Sequence, residues 1–429
     1  MNQESLINIL ILSGFLIEVL ILLKMEKVLW KTYYTPLNFL MIPYTIVLLI
    51  NIALPKDLDF EPFYFPSILV WSIGLLVFFM PSLLFGIIHT KLDPPAIIHI
   101  KPPKNLRSLL WIGGFLLFAS LFYIYEESSI LEDLIGSEEF ADTTLRGGLW
   151  GHVRTILLSI LILAVFLFQK DKLIFYVLII GTLIISVIYQ VKSWIIIPII
   201  AGLTMRLLTG KSTLTARTFV NIAVGGIFMF FLSYFLILVV ADEDSTFSLD
   251  IFDMIYKHFL FYLTSGTAGL GIDMQLGVLE TPNPQSIFAP FLNIFSLIDG
   301  RDLVSPINPV YLYIGWTGSN VRTFFGTLWI NLGTYGTIIY VFVCASLLYG
   351  VLLWIKTKPN LWALGFYGLM TSLLFMGWFE FYYFHLIIIE IPIVILILTA
   401  LMYIDKIPLR GFFKGTDREV KTTKEKQHE

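Results

Sequence analysis

The chain has 429 residues, of which 57% are hydrophobic, 16% aromatic and only 14% charged, and its mean hydropathy is +0.83. A soluble domain carries roughly 25% charged residues, so this chain has too few charges to cover a water-facing surface, and a soluble globular enzyme is excluded. A disordered chain and a disulfide-rich secreted domain are excluded as well, because the lone Cys344 cannot form an internal disulfide. The net charge of −3 gives no reason to expect nucleic acid as a partner.

Eleven apolar stretches have a length suited to a membrane-spanning helix, which needs about 20 mainly apolar residues. They are residues 5–23, 36–54, 66–89, 107–125, 150–168, 173–190, 193–209, 218–241, 327–355, 360–379 and 386–404. The sequence therefore predicts an all-α integral membrane protein with about 11 transmembrane helices.

Lysine and arginine are distributed unevenly between the two sets of alternating loops. One set, which includes the C-terminal tail, holds 21 of the 28 basic residues. Because basic residues accumulate on the cytoplasmic side of membrane proteins, we expect the N-terminus outside and the C-terminus in the cytoplasm. Residues 5–23 follow no basic region and precede no cleavage site, so they are predicted to be a retained span and not a signal peptide.

These spans divide the chain into four predicted parts. They are an N-terminal bundle of about eight transmembrane helices (1–241), a large extracytoplasmic loop (242–326), three further transmembrane helices (327–404) and a basic cytoplasmic tail (405–429). The tail is expected to contact anionic lipid headgroups.

The large outer loop is apolar enough to carry structure of its own. Apolar residues at helical spacing between 252 and 263 predict an amphipathic helix on the membrane surface. Residues 286–298 are apolar but too short to span, which predicts an interfacial or re-entrant piece. Between them, tight turns are expected at four glycines, namely Gly266, Gly269, Gly271 and Gly277.

Basic residues stand at the outer N-terminal ends of three inward-running helices, where the helix dipole disfavours cations. The fifth span opens with Arg146 and Arg154, the seventh follows Lys192, and the ninth follows Arg322. Any one of them is explained by a long side chain that reaches the membrane interface. Their coincidence on the side depleted of basic residues favours an anion site, because free helix-end N–H groups and the forked arginine donors bind phosphate oxygens well. A diphosphate-linked lipid with a glycan in the loop fits such a site.

The layout resembles the Wzy-type O-antigen and capsule repeat-unit polymerases of bacterial inner membranes. The first shared feature is a dozen or so spans with one large outer loop in the C-terminal half. The second is a basic residue plus serine that opens a mid-chain span, here Lys192-Ser193. The third is a set of three short stretches, namely Tyr262-Leu263-Thr264-Ser265-Gly266, Gly318-Ser319-Asn320-Val321-Arg322-Thr323 and Gly333-Thr334-Tyr335-Gly336. Where the family often has arginine, this chain has Lys192, which lacks the bidentate fork.

The resemblance implies a GT-C-like glycosyltransferase that polymerises undecaprenyl-diphosphate-linked oligosaccharide repeat units into O-antigen, capsular polysaccharide or exopolysaccharide at the outer face of the cytoplasmic membrane. Cations would stabilise the charge that grows on the diphosphate leaving group, and this role is predicted for Arg146, Arg154, Lys192, Arg301 and Arg322. The attacking sugar hydroxyl needs a general base. The sequence does not choose among the candidates, which are His152, His258, Asp273, Asp299, Glu380 and His385.

No cofactor and no metal are expected, because the histidines are scattered, nucleotide-binding motifs are absent from the sequence and the donor is already activated. The expected partners are the lipid-linked glycan, membrane lipids and, by the resemblance, a chain-length regulator protein. Two other functions stay open. One is an O-antigen ligase or another GT-C lipid-linked glycosyltransferase, to which the D-x-D motif Asp57-Leu58-Asp59 points. The other is a non-enzymatic flippase for the lipid-linked oligosaccharide, against which the long outer loop counts.

Overall fold

The computed structural model describes residues 3–54, 62–131, 148–189, 193–241, 249–277, 283–306, 311–314 and 317–404. Each of the eleven predicted stretches coincides with a helix. These helices are α1 (Gln3–Trp30), α2 (Pro36–Ala53), α3 (Ser67–Leu92), α4 (Leu106–Leu131), α5 (Gly148–Leu167), α6 (Leu173–Ile188), α7 (Ser193–Leu208), α8 (Ala216–Ala241), α12 (Phe324–Thr357), α13 (Leu361–Phe375) and α14 (Ile387–Tyr403). Three further helices lie between α8 and α12, namely α9 (Leu249–Leu276), α10 (Pro284–Ile287) and α11 (Ala289–Asp299). Within the described ranges, seven helices are long and apolar enough to cross a membrane.

The described structure is predominantly helical, as predicted, and its long apolar helices are compatible with a membrane-embedded protein. In its core, α3 packs against α1 and α12, and α7 packs against α5 and α13. Buried aromatic rings also connect α2, α3 and the start of α12. Tyr44 of α2 stacks on Trp71 of α3 with ring centroids 3.4 Å apart, and the Trp71 indole N–H donates to the Thr323 hydroxyl at 3.0 Å. The start of α12 is thereby fixed to α2 and α3.

The helix order gives the bundle two ends. We call one the basic end, made of the described residues within 24–38, 89–107, 206–217 and 353–361, where the Ile98 N–H donates to the Leu208 carbonyl at 3.0 Å and the Asn105 N–H donates to the Met402 carbonyl at 2.9 Å. We call the other the loop end, made of the described residues within 62–66, 148–155, 193–197, 249–323 and 376–390.

The predicted loop contains a single long helix where turns were expected. Residues Leu249–Leu276 form the 28-residue helix α9, so the helix predicted over 252–263 is confirmed but continues for more than three further turns. The prediction of turns at Gly266, Gly269 and Gly271 is wrong, because all three glycines lie inside this helix. A Cβ on Gly266 or Gly269 would come within 3.0 Å of a neighbouring carbonyl oxygen, and one on Gly271 would lie 3.1 Å from the Tyr64 Cβ. Of the four glycines, only Gly277 has the positive φ, +62°, of a helix end.

The rest of the loop is built from short elements. The apolar stretch 286–298 forms the helices α10 and α11, and α11 ends at Gly300 in the left-handed conformation. A small antiparallel hairpin follows, with β1 (Leu312–Ile314) paired to β2 (Thr317–Ser319) in the register Leu312 to Ser319. Helix α12 then kinks at Gly333, whose φ of +65° and ψ of −178° interrupt the helix inside its range.

Candidate functional site at the loop end

Helix α9 organises the loop end by packing its backbone directly against other segments. A Cβ placed on Gly266 would lie 2.7 Å from the Trp378 carbonyl oxygen and closer still to that of Phe379. One turn along, a Cβ on Gly269 would lie 2.9 Å from the Val321 carbonyl oxygen. The Asn51 amide of α2 donates to the Thr267 hydroxyl at 2.7 Å. Small residues on α9 therefore let it pack closely against the segment before α12 and against the segment after α13.

The side chains of Arg322 and Asp273 form a buried ion pair beside this contact. The guanidinium Nε donates to Asp273 Oδ2, and Nη2 donates to Oδ1 at 3.4 Å. The remaining nitrogen, Nη1, donates to the Val321 carbonyl at 2.9 Å and to the Ser319 carbonyl at 3.4 Å. The arginine and aspartate side chains are only 1% and 3% exposed.

This pairing revises two predictions. Arg322 was expected to bind diphosphate and Asp273 was a candidate general base, but each neutralises the other inside the protein. Burial raises the pKa of the Asp273 carboxyl, while the hydrogen bonds and charge of Arg322 oppose that shift. An arginine whose Nε, Nη1 and Nη2 all donate to protein oxygens serves to hold β2 and α12 on α9.

A non-helical segment between α13 and α14 carries Glu380, Tyr382 and His385. It consists of two short 3₁₀ turns, Met376–Trp378 and Tyr382–Phe384. The Phe379 ring stacks on Tyr262 of α9 with centroids 5.9 Å apart, and the Tyr382 ring packs edge-on against Trp194 of α7 with centroids 6.1 Å apart. The segment is therefore clamped between α9 and α7.

The Glu380 carboxyl is the distinctive group of this segment. It is partly accessible, and within the described part of the chain it forms no ion pair or side-chain hydrogen bond. Burial raises the pKa of the Glu380 carboxyl to about 8. A carboxyl with a pKa near neutrality is suited to accept a proton from a substrate, because such a group balances base strength against the fraction that is deprotonated.

His385 and Arg154 lie at the same end of the bundle, close enough for the arginine charge to act on the imidazole. The His385 ring packs edge-on against Trp194 of α7, with centroids 5.7 Å apart. Burial, followed by the positive charge of Arg154, lowers the pKa of His385 to about 4, so the imidazole is neutral at physiological pH. The Arg154 guanidinium itself lies 5.2 Å from the centroid of the Tyr189 ring. Of the predicted site residues, Arg154 is thus the described cation that reaches the 380–385 segment.

His152 and Glu390 form a separate contact between α5 and α14. The His152 Nδ1 lies 2.9 Å from Glu390 Oε1, and the Thr155 hydroxyl donates to Glu390 Oε2 at 3.1 Å. His152 is one turn before Thr155, so both reach the same carboxylate. The predicted base His152 is thereby engaged in holding α14 to α5.

Among the described residues, Arg301 and His258 do not join this cluster. Arg301 pairs with Asp299 at 2.9 Å on the surface, where their side chains are 76% and 47% exposed. His258 Nδ1 lies 2.9 Å from the Met254 carbonyl of its own helix. Arg146, Lys192 and the D-x-D motif at 57–59 lie outside the described residues, although Lys192 directly precedes Ser193. In the described ranges, no group of three or more His, Cys, Asp or Glu side chains is arranged to hold a metal ion.

A family model matches residues 59–410, which include every described residue of the site. The chain belongs to DUF6337, a family of unknown function. Neither a curated protein nor a solved structure matches the chain. The function of this DUF6337 protein must therefore be argued from its own geometry.

Sequence reasoning missed Tyr382 as a part of the site. It stands between two apolar stretches, and its ring contact with Trp194 joins positions 188 residues apart. The available signal was the run Glu380-Phe-Tyr-Tyr-Phe-His385, in which an acid and a histidine bracket four aromatic residues between two spans. That run predicts a buried polar connection, because charged groups beside such an aromatic block are rarely left in hydrocarbon without a role.

Proposed function

We propose that the protein is a glycosyltransferase that polymerises lipid-diphosphate-linked oligosaccharide repeat units at the extracytoplasmic face of a bacterial cytoplasmic membrane. The single observation that carries this proposal is the Glu380 carboxyl, partly accessible at the loop end with its pKa raised to about 8. The sequence-based support is the Wzy-like layout and the basic residues at the same end of the bundle.

In the proposed reaction, a sugar hydroxyl of the acceptor repeat unit attacks the anomeric carbon of the donor glycan. The new C–O bond forms as the bond between that carbon and the diphosphate oxygen breaks, and the electron pair stays on the diphosphate. The Glu380 carboxylate accepts the hydroxyl proton. Neutral His385 remains a hydrogen-bonding partner that does not compete with Glu380 for that proton, since its pKa is about 4.

The leaving group gains negative charge, which a fixed cation stabilises more strongly in the transition state than in the ground state. Arg154 takes this role in our proposal, because its charge reaches His385. Lys192 is a second contributor on sequence grounds, being the residue before Ser193. Arg322 and Arg301 are assigned no part, because Asp273 and Asp299 already neutralise them.

The glycan needs a surface that water-exposed aromatic rings can provide. Tyr311 and Tyr313, at the start of the β1–β2 hairpin, are 62% and 79% exposed. Strand β1 packs against α9, the helix that also contacts the Glu380 segment. We assign sugar stacking to these two tyrosines and not to Trp194, which is 5% exposed and lies in the packed interior.

The test uses the lipid-linked repeat unit extracted from a strain that lacks the gene, together with purified protein. The wild-type protein is expected to convert it into a ladder of longer glycans, and Glu380→Gln to leave only the single unit. Glu4→Gln, an exposed carboxyl at the start of α1, is the matched control and is expected to keep the ladder. A full ladder from Glu380→Gln, or none from the wild type, overturns the proposal.

A further inference from the structure

A second carboxyl lies fully buried at the opposite, basic end of the bundle. Glu26 is near the end of α1, is 0% exposed and is enclosed by α3, α12 and the start of α2. The proposed glycosyl transfer makes no use of it. Ionisable groups buried within a membrane-embedded bundle are costly and are retained at sites with a function.

The hydrogen bonds around Glu26 all run toward one of its two oxygens. Oε1 accepts from the Ser82 hydroxyl and, at 2.9 Å, from the Tyr349 hydroxyl. Ser82 in turn accepts from the Trp30 indole at 2.9 Å, and Tyr349 accepts from the Leu37 N–H, in the first turn of α2, at 3.2 Å. Because every donor is uncharged, the network supplies no positive charge to balance a carboxylate.

The other oxygen of Glu26, Oε2, makes no hydrogen bond within the described residues. The Thr35 hydroxyl adjoins the Glu26 carboxyl. Even so, among the described residues neither Glu26 Oε2, Thr35 Oγ1 nor Asn38 Oδ1 makes a hydrogen bond of acceptable geometry. All three side chains are at most 2% exposed. Thr35 is the N-cap of α2, yet its side chain does not cap the helix, although N-cap threonines usually do so.

We propose that Glu26 binds a single positive charge at Oε2, either a proton or a sodium ion, with the Thr35 hydroxyl as the adjoining oxygen. A buried carboxylate without a cation is too costly to persist, and it is neutralised by whichever small cation reaches it. Oxygen atoms of carboxylate, hydroxyl and amide groups also form the ligand set that hard cations prefer. The site joins α1 to the N-terminus of α2, so its occupancy controls the packing of the basic end.

The neighbouring charged and titratable groups do not replace that cation. On α3, His89 turns its Nδ1 to the Leu29 carbonyl at 2.9 Å. On α12, the Lys356 ammonium donates to the Ala96 carbonyl at 3.2 Å. On α13, the Tyr367 hydroxyl donates to the Tyr34 carbonyl at 2.8 Å. None of them is hydrogen-bonded or ion-paired to Glu26 in the described structure.

The experiment measures the unfolding temperature of the full-length protein in detergent between about pH 6 and about pH 9, in choline chloride and in sodium chloride. Glu26→Gln is neutral at every pH, so it reproduces the occupied state. With a proton as ligand, the unfolding temperature of the wild type in choline chloride is expected to fall by at least about 2 °C relative to that of Glu26→Gln as pH rises. With sodium as ligand, sodium chloride restores the unfolding temperature of the wild type at high pH. Glu4→Gln, on the same helix, should behave as the wild type does.

A wild-type curve that runs parallel to that of Glu26→Gln at every pH and in both salts would overturn the proposal. Should Glu26→Gln fail to fold, infrared difference spectra between the same pH limits decide the matter. They are recorded on a chain with Glu18→Gln and Glu380→Gln, which removes two other carboxyls. A protonated-carboxyl band lost at high pH, or a carboxylate band shifted by sodium, supports the site, and the absence of both overturns it.

Discussion

Arg322 and Asp273 face each other in the packed interior of the loop end, joined by two hydrogen bonds between guanidinium and carboxylate. The residues are 49 positions apart, one at the start of α12 and one near the end of α9. Their pairing fixes the orientation of α9, and Gly266, two turns earlier on the same face of that helix, contacts the segment that carries Glu380. The ion pair therefore supports the site without touching the proposed substrate.

Removing one partner of this pair is expected to destabilise the protein strongly. Asp273→Asn leaves a buried guanidinium without a counter-charge, at a cost of about 3–5 kcal/mol in the free energy of unfolding. Asp253→Asn removes half of the exposed i,i+4 pair with Lys257 and should cost about 0.5 kcal/mol or less. Thermal unfolding in detergent compares the two. Equal, small losses would show that the Arg322 pair does not hold the loop end.

A methyl group on Gly266 is expected to displace the Glu380 segment. The Cβ of Gly266→Ala meets backbone carbonyl oxygens of Trp378 and Phe379, which cannot rotate away as a side chain can. We expect a loss of about 1–3 kcal/mol in stability together with loss of polymerisation. The matched change Gly226→Ala, in α8, meets no atom within 4 Å and should be neutral or slightly stabilising. Retained activity in Gly266→Ala at normal protein levels would contradict the close packing.

Polymerisation is expected to rise with pH up to about 8. In the proposed reaction the active form of Glu380 is the carboxylate, and because its pKa is raised to about 8, each pH unit below that value lowers the active fraction about tenfold. Initial rates across this range should show that limb in the wild type. His385→Gln should leave the position of the limb unchanged, since neutral His385 does not titrate there. A shift of this limb in His385→Gln would show that Glu380 is not the group whose titration limits the rate.

The loop end is expected to face the outside of the cell. The protein has a single cysteine, Cys344, inside α12, so new cysteines can be read against a low background. Leu303→Cys, at a position 59% exposed after α11, should react with a membrane-impermeant maleimide in intact cells. Lys170→Cys, exposed between α5 and α6, should react only after the cells are opened. The reverse pattern would invert the membrane topology and with it the side of the proposed reaction.

Much of the helical framework was predictable because a run of about 20 apolar residues carries its own signal. Contacts between positions that are distant in the sequence leave no such signal. The sequence offered Glu380 as one of six possible bases, and only the packing of α9 and α7 around it distinguishes it from Asp273, which is paired, and Asp299, which is on the surface. Glu26 escaped notice because it lies between Lys24 and Lys27, a context typical of a membrane boundary, whereas α1 continues to Trp30 and buries it.

Binding of a lipid diphosphate beside Arg154 and the Glu380 segment is tested by measuring the affinity of the purified protein for undecaprenyl diphosphate. We expect Arg154→Ala to weaken binding by about tenfold or more, in keeping with the loss of one charge-assisted contact. Arg301→Ala, which removes an exposed arginine already paired with Asp299, should bind as the wild type does. Unchanged affinity in Arg154→Ala, or an equal loss in both variants, would show that Arg154 does not bind the diphosphate specifically.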